Sequence, residues 1–356
     1  MKKMLPFLLA GFFIATILNT PCIYADTSLI GSNENSVFEA GNGTAENPYQ
    51  ITTIEELDAI RDNLDKDFLL MKNLDFNSDR SYDNPSNKHH YITGKGWKAT
   101  GCDEEGTEFT GSFDGQGYSI SNLFANHSNS CYSSLFGYLL DAEISHLRLI
   151  NVYVTGAGSF AGHSERSSVF DCHATGEVVS SFFYVGGLIG KNNGSIINCH
   201  VSVDVTGDFF CIGGLVGLND GVISACSAQG DVTGYNFKHE IHEIGGLVGG
   251  NIGSIMNSNA TGDVTGNTYV GGLVGANWHN ISYCHATGKV THAWHNYGHI
   301  LFGRRYVGRL TGADFGTTSN SYATGKIGIK LFAEGLFWHI LYQLLPDPDI
   351  SKDGSF

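Results

Sequence analysis

Residues 213–234 read GGLVGLNDGVISACSAQGDVTG, and the same frame returns at residues 245–266 as GGLVGGNIGSIMNSNATGDVTG. Two more clear copies begin at Gly186 (GGLIGKNNGSIINCHVSVDVTG) and Gly271 (GGLVGANWHNISYCHATGKVTH), with worn copies at Gly158 and Gly308. The start-to-start spacings are 28, 27, 32, 26 and 37 residues, so a basic period near 26 or 27 carries insertions in two places. A period of this size signals a stacked repeat architecture. Each copy holds three short strand-like pieces: GGLVG, the stretch from Ile to Ala, and the closing Asp-Val-Thr. None reaches the length of a helix pair, and β-branched residues bounded by glycine favour strands. The expected fold is all-β: a right-handed parallel β-helix with one coil per repeat. Its coils stack about 4.8 Å apart, so equivalent residues form ladders.

The ladders follow from aligning the copies. Leu188, Leu215, Leu247, Leu273 and Leu310 fall at one core position, and Ile196, Ile223, Ile255 and Ile281 at a second. Val205, Val232, Val264, Val290 and Ile327 take a third. Cys172, Cys199, Cys226 and Cys284 share a fourth position, where Ser258 and Ser321 replace them. Period-two spacing to Ala228, Ala260 and Ala286 turns that position inward. Two readings are open: a buried thiol ladder, or disulfides between neighbouring coils, whose spacing suits a bridge better than their parallel Cβ vectors do. Asn192, Asn219, Asn251 and Asn277 recur after GGLVG at an expected turn, where asparagine tolerates left-handed backbone and can bond the next coil.

The pattern GGLVGxNxGxIxxCxATGxV resembles the GLUG motif of bacterial secreted and surface proteins, which also occurs in the non-catalytic part of IgA-cleaving metallopeptidases. The likeness runs from Gly158 to about Ile327. GNGTAENPYQITTIEELDAI, GSFDGQGYSISNLFAN and LFGYLLDAEISHLRLINVYVTG resemble the lead-in that precedes such repeats. The resemblance implies a β-solenoid on or outside the cell, often adhesin-like, and names no ligand.

The expected organisation is a signal peptide at 1–25, an N-terminal cap and first coils at 26–157, the repeat β-helix at 158–327, and a C-terminal cap and tail at 328–356. Lys2 and Lys3 precede an apolar run that ends at Ile23-Tyr24-Ala25, as a secretory signal requires. The run is too short for a membrane span, and none is expected in the mature chain. Cys22 lacks the preceding residues of a lipobox. Thr53-Ile-Glu-Glu56 is a capping-box pattern that starts a short helix, with Ile54, Leu57 and Ile60 on one face, placed to cover the first coil. Residues 327–345 are rich in Leu, Phe and Ile and read as a second, apolar cap.

Composition narrows the function. Forty-seven glycines, 6 prolines and 15% charged residues exclude collagen, coiled coil and Pro-rich disorder. A net charge of −15 disfavours nucleic acid. Of 8 cysteines, removing Cys22 leaves an odd number, so at least one is unpaired in a monomer. His239-Glu240-Ile241-His242-Glu243 spaces its histidines three apart, not the four of a zincin helix. His292, His295 and His299 read as solvated loop residues. Asp75 and Asp114 are the carboxylates to inspect for a polysaccharide lyase or glycoside hydrolase on this scaffold.

The favoured reading is a non-catalytic, exported, monomeric binding protein, with a host or matrix protein or a glycan as partner. Insertions at 235–243 and 292–305 are expected to project as loops, where recognition usually sits. The second carries Trp294, Tyr297, Phe302, Arg304 and Arg305, followed by Tyr306, residue types enriched at binding hot spots. Glu177, Asp204, Asp231 and Asp263 form an acidic ladder, with Lys289 and Lys326 taking the same position later. Such a ladder either splays into solvent or holds a weak calcium ion; no other cofactor is expected.

Overall fold

Each repeat turns one corner through a single residue in left-handed backbone: Asp171, Asn198, Ala225, Asn257, Tyr283 and Asn320, with φ of 52°, 53°, 55°, 50°, 54° and 49°. The αL geometry breaks the strand and redirects the chain onto a second sheet. The computed structural model describes residues 37–78, 96–101, 107–127, 133–234, 242–295 and 306–332. The expected signal peptide, the insertion segment 235–241 and the tail from 333 lie outside these residues.

Among the described residues the strands form three sheets of fifteen, fourteen and five strands. Every strand pair is parallel and joins one coil to the next, the topology of a parallel β-helix. The register is strict in the repeats: Ile196 pairs Ile223, Ile223 pairs Ile255 and Ile255 pairs Ile281. Those isoleucines, with Leu188, Leu215, Leu247 and Leu273, are fully buried, as are Val232, Val264 and Val290. The N-terminal coils fill the same interior with rings, Phe109 lying 4.9 Å from Phe136 and 6.2 Å from Phe68. No helix among the described residues is long and apolar enough to cross a membrane.

The strand boundaries differ from the sequence reading. GGLVG is a corner rather than a strand: Gly186 ends the strand Tyr184–Gly186, Gly187 and Leu188 bend, and the strand Ile189–Ile197 begins. Glycine is required there because neighbouring coils touch. A Cβ on Gly187 would lie 2.2 Å from the Gly214 carbonyl oxygen, and one on Gly246 would lie 2.1 Å from that of Gly272. The Ile-to-Ala stretch likewise spans the αL corner, so each coil's second and third pieces meet at a bend.

The first coil is covered as expected. Thr53 caps the helix Ile54–Ala59, and Glu56 completes the capping box. The Glu56 carboxylate also accepts the Thr52 N–H at 2.7 Å and the Glu39 N–H at 3.2 Å, tying the lead-in to the helix. Ile54, Leu57 and Ile60 enter the core. At the other end, residues 292–295 form no loop. They extend the strand Val290–His295, which pairs with Ile327–Phe332, so β-structure continues past the expected repeat boundary at 327. His292 is correspondingly buried, its ring nitrogen 3.0 Å from the Asn267 carbonyl.

Candidate functional site

Three columns of side chains converge on the lateral face of the solenoid. The five-stranded sheet contributes Tyr184, Cys211, Glu243, Tyr269 and Tyr306, one per coil in register. Next to it on the longest sheet run Lys191, Leu218, Gly250, Ala276 and Ala313. The third column follows the asparagine ladder: Ile252, Trp278 and Phe315, each tied by its N–H to the preceding coil at 2.8, 2.8 and 2.7 Å. Among these columns a groove of about 490 Å³ opens, lined by Tyr184, Phe210, Cys211, Leu218, Glu243, Ile252 and Trp278.

The groove has an aromatic rim and one ionisable group. Trp278 is 41% and Ile252 42% exposed, values high for large apolar side chains held by a regular scaffold. Glu243 lies over Gly250: a Cβ there would come within 2.5 Å of its Oε2. That oxygen accepts the Cys211 thiol at 3.1 Å. Burial pushes the Glu243 carboxyl above its ordinary range, and the Cys211 hydrogen bond only partly opposes this. Burial, followed by the charge of Glu243, in turn pushes the Cys211 thiol well up.

Of the binding residues expected from the sequence, only Tyr306 is placed here. It stacks on Tyr269 at 5.4 Å and 20°, beside the groove. Tyr297, Phe302, Arg304, Arg305 and the side chain of Trp294 lie outside the described residues. The groove residues themselves were missed because they occupy variable positions inside the repeats. The available signal was the change at one repeat position from Asp220 to Ile252, Trp278 and Phe315.

The structural ladders hold the groove in place. Cys172, Cys199, Cys211, Cys226 and Cys284 are all free and buried, so no disulfide joins the coils among them. The Cys226 sulfur donates to the Ser224 carbonyl at 3.2 Å and accepts the Cys199 N–H at 3.5 Å; Ser258 repeats both bonds with its hydroxyl, at 2.7 Å to the Met256 carbonyl and 3.1 Å from the Cys226 N–H. The asparagines bond coil to coil as expected, but from strand backbone: the left-handed residues are those at the corners.

The acidic column has a role in the backbone. Glu177 pairs with Asp204 in register. Asp204 Oδ1 accepts the Asp231 N–H at 2.9 Å, Asp231 Oδ1 the Asp263 N–H at 2.8 Å, and Asp263 Oδ1 the Lys289 N–H at 2.7 Å. Each aspartate thus spends one oxygen on the next coil. Among the described residues no cluster of three or more His, Cys, Asp or Glu is arranged to hold a metal ion. Asp114 Oδ1 accepts the Gln116 N–H at 2.8 Å and meets the His146 ring at 3.0 Å. Asp75 Oδ1 accepts from Asn122 at 2.7 Å, the first of the bonds that hold its carboxyl below the usual range.

Comparison with known proteins agrees with this layout. The GLUG motif matches residues 183–206, 210–233, 242–265 and 266–291, each window starting at or near a strand of the five-stranded sheet and covering one coil. A protein of Evansella cellulosilytica, provisionally named a Gly-rich membrane protein, is 33% identical over 151 residues, 42% of this chain and 16% of that protein. Halomucin of Haloquadratum walsbyi is 34% identical over 163 residues, 42% of this chain and 2% of its own length. The chain therefore spans a small fraction of these curated relatives. A crystal structure from Bacteroides ovatus, provisionally named an immunoglobulin A1 protease, superposes with a TM-score of 0.56 over 81% of this chain and 87% of that one, at 21% identity, a likeness of fold. The chain carries four GLUG motifs, each of which builds one coil of a parallel β-helix.

Proposed function

We propose that this chain is a surface-exposed or secreted repeat protein that acts as an adhesin-like binding scaffold and carries out no catalysis. The observation that carries the reading is the lateral groove. A rigid ladder of coils holds Trp278, Ile252, Tyr184 and Phe210 half-exposed around it, and large apolar groups kept in water by a regular framework mark an interaction site. A stacked solenoid offers a long lateral face rather than an enclosed cavity, which suits extended partners. The GLUG repeats and the relative named as a Gly-rich membrane protein support a place at or outside the cell surface.

Binding is favoured over carbohydrate hydrolysis by the groove's chemistry. Hydrolysis of a glycosidic bond takes two facing carboxyl groups, and Glu243 is the one carboxylate among the groove's lining residues. Asp75 and Asp114 are tied into turns by their own hydrogen bonds. A screen of the purified chain against immobilised matrix proteins, mucin and a glycan panel, run beside a reducing-end assay on the same glycans, tests the reading. Saturable binding without new reducing ends is expected. Depolymerisation of any glycan, or no binding to any surface, would contradict it.

A further inference from the structure

The last described coil leaves one end of the solenoid open. Its five strands, Tyr306–Gly308, Thr311–Asp314, Thr317–Ser319, Tyr322–Ala323 and Ile327–Phe332, pair with the preceding coil and, among the described residues, with nothing beyond. Such a row of strand edges must be covered in a stable solenoid. The core is open there too. Val307, Leu310, Ala323 and Ile327 are only partly buried, whereas Val270, Leu273, Ala286 and Val290 one coil earlier are fully buried. Thr318, in register with the buried Ile281, is exposed.

Arg309 argues against a further coil of the same kind as the cover. It occupies the repeat position of Gly187, Gly214, Gly246 and Gly272. A Cβ at those glycines would meet the backbone of the next coil: one on Gly187 would lie 2.2 Å from the Gly214 carbonyl oxygen, and one on Gly272 would lie 2.0 Å from that of Arg309. The Arg309 side chain therefore projects where a following coil would lie, over the end of the core. Its Nε is buried and makes no hydrogen bond among the described residues. A buried guanidinium donor needs an acceptor, and the layer that closes the end is placed to supply one.

We propose that residues 333–345 close this end, with the Glu334 carboxylate on the Arg309 guanidinium and an apolar face laid over the core. The inference is independent of what the lateral groove binds. The segment follows directly on Phe332, so it starts at the surface it covers. Leu336, Ile340 and Leu344, and beside them Phe337, Leu341 and Leu345, recur every four residues, the spacing of one helical face, and Pro346 stops the pattern. The first coil is closed in the same way, by Ile54, Leu57 and Ile60 of its short helical segment. Charge agrees with the pairing. Residues 306–332 carry three basic residues against one acid, and residues 333–356 carry four acids against one lysine. No GGLVG frame occurs in residues 333–356, as a cover other than a coil requires.

Hydrogen exchange of the full chain, read peptide by peptide by mass spectrometry at several protein concentrations, tests the proposal. In wild type the peptides that span 311–332 should be protected to the same degree at every concentration. Ile340→Asp with Leu344→Asp places charge in the apolar face and should speed exchange of those peptides about tenfold or more. Peptides around Ile223 and Ile255, in the middle of the solenoid, should exchange as before and report that the fold remains. Arg309→Glu should also release the last coil, and adding Glu334→Arg should restore most of the protection. Lys326→Glu reverses an exposed charge on the same coil and should exchange as wild type. A last coil that exchanges as in wild type when Ile340 and Leu344 are both changed to Asp overturns the proposal. So does a charge swap that restores nothing of what Arg309→Glu loses. Wild-type protection that appears only as concentration rises assigns the end to a second copy of the chain and overturns it as well.

Discussion

Asn219 donates its side-chain amide to Oδ1 of Asn251 at 2.9 Å while its own Oδ1 accepts the amide of Asn192, also at 2.9 Å. The relation repeats from Asn251 to Asn277 and ends at Asp314, an acceptor that has no amide to pass on. Each amide also bonds within its own coil, as Asn219 does with the Gly221 carbonyl at 3.2 Å and the Gly221 N–H at 3.3 Å. All four asparagines are fully buried, so this polar ladder is stable only because it is complete.

Breaking the ladder in the middle should be costly. Asn219→Leu strands the Asn192 donor, the Asn251 acceptor and the Gly221 backbone, each worth about 1–3 kcal/mol when buried without a partner. We expect a loss of about 3 kcal/mol or more in urea unfolding. Asn277→Asp should cost at least as much as Asn219→Asp, because either change forfeits both bonds of the side-chain amide and the new carboxylate at 277 also faces that of Asp314. A clearly smaller loss at 277 would contradict the ladder.

The thiol column makes a different prediction. Ser258 already performs the bonds of Cys226 with a hydroxyl, so Cys226→Ser should change stability by less than about 1 kcal/mol, whereas Cys226→Val leaves the Cys199 N–H unpaired at a cost of about 1–3 kcal/mol. The Cys226 thiol is held well above its ordinary range, first by its hydrogen bond to Cys199 and then by burial. A thiol reagent at mildly alkaline pH should therefore label it only after denaturation. Rapid labelling of the folded chain would show that the column is accessible.

At the corners, Asn198, Asn257 and Asn320 suit left-handed backbone, while Ala225 adopts φ of 55° without a side chain that favours it. Ala225 is exposed, so packing places no demand on it. Ala225→Asn should raise stability by about 0.5–1 kcal/mol. An unchanged or lower unfolding midpoint would place this corner outside the αL region.

Glu243 couples the groove to pH. Its carboxyl has a folded-state pKa above the ordinary 4.5, so the folded chain holds a proton that the unfolded chain has released. Stability is consequently lost as pH rises from 4.5 through the raised value, and stays lost at neutrality. Glu243→Gln removes the ionisation and keeps an acceptor for the Cys211 thiol. The variant should melt higher than wild type near neutral pH, with the gap closing below 4.5. A difference that persists undiminished into acid would assign the effect to something other than this carboxyl.

How much the sequence revealed depends on what constrains each position. Inward residues such as Leu215 and Ile223 recur because the same core must be filled in every coil, and periodicity exposes them directly. The glycines of GGLVG recur just as faithfully for another reason, a coil contact so close that a Cβ on Gly187 would lie 2.2 Å from the Gly214 carbonyl oxygen, and a repeat alone cannot separate a corner from a strand. The groove was hidden for the opposite reason. It is lined where the repeats differ from one another, at Leu218, Glu243, Ile252 and Trp278, whereas the insertions point only to Tyr306 at its margin.

The most direct test of the solenoid that carries this groove is the spacing of its coils. Ser112, Glu143, Ser168, Ser195, Val222, Ser254, Asn280 and Thr317 occupy one column, each in register with the next. Glu143, Val222 and Thr317 are exposed and can carry spin labels introduced as non-natural amino acids, which leaves the buried thiols untouched. Glu143 and Thr317 are six coils apart, and at about 4.8 Å per coil pulsed electron paramagnetic resonance should place them about 29 Å apart. Val222 and Thr317, three coils apart, should give about 14 Å. Distances in that two-to-one ratio are the result expected of one repeat per coil; two similar distances, or a Glu143 to Thr317 separation shorter than Val222 to Thr317, would contradict it.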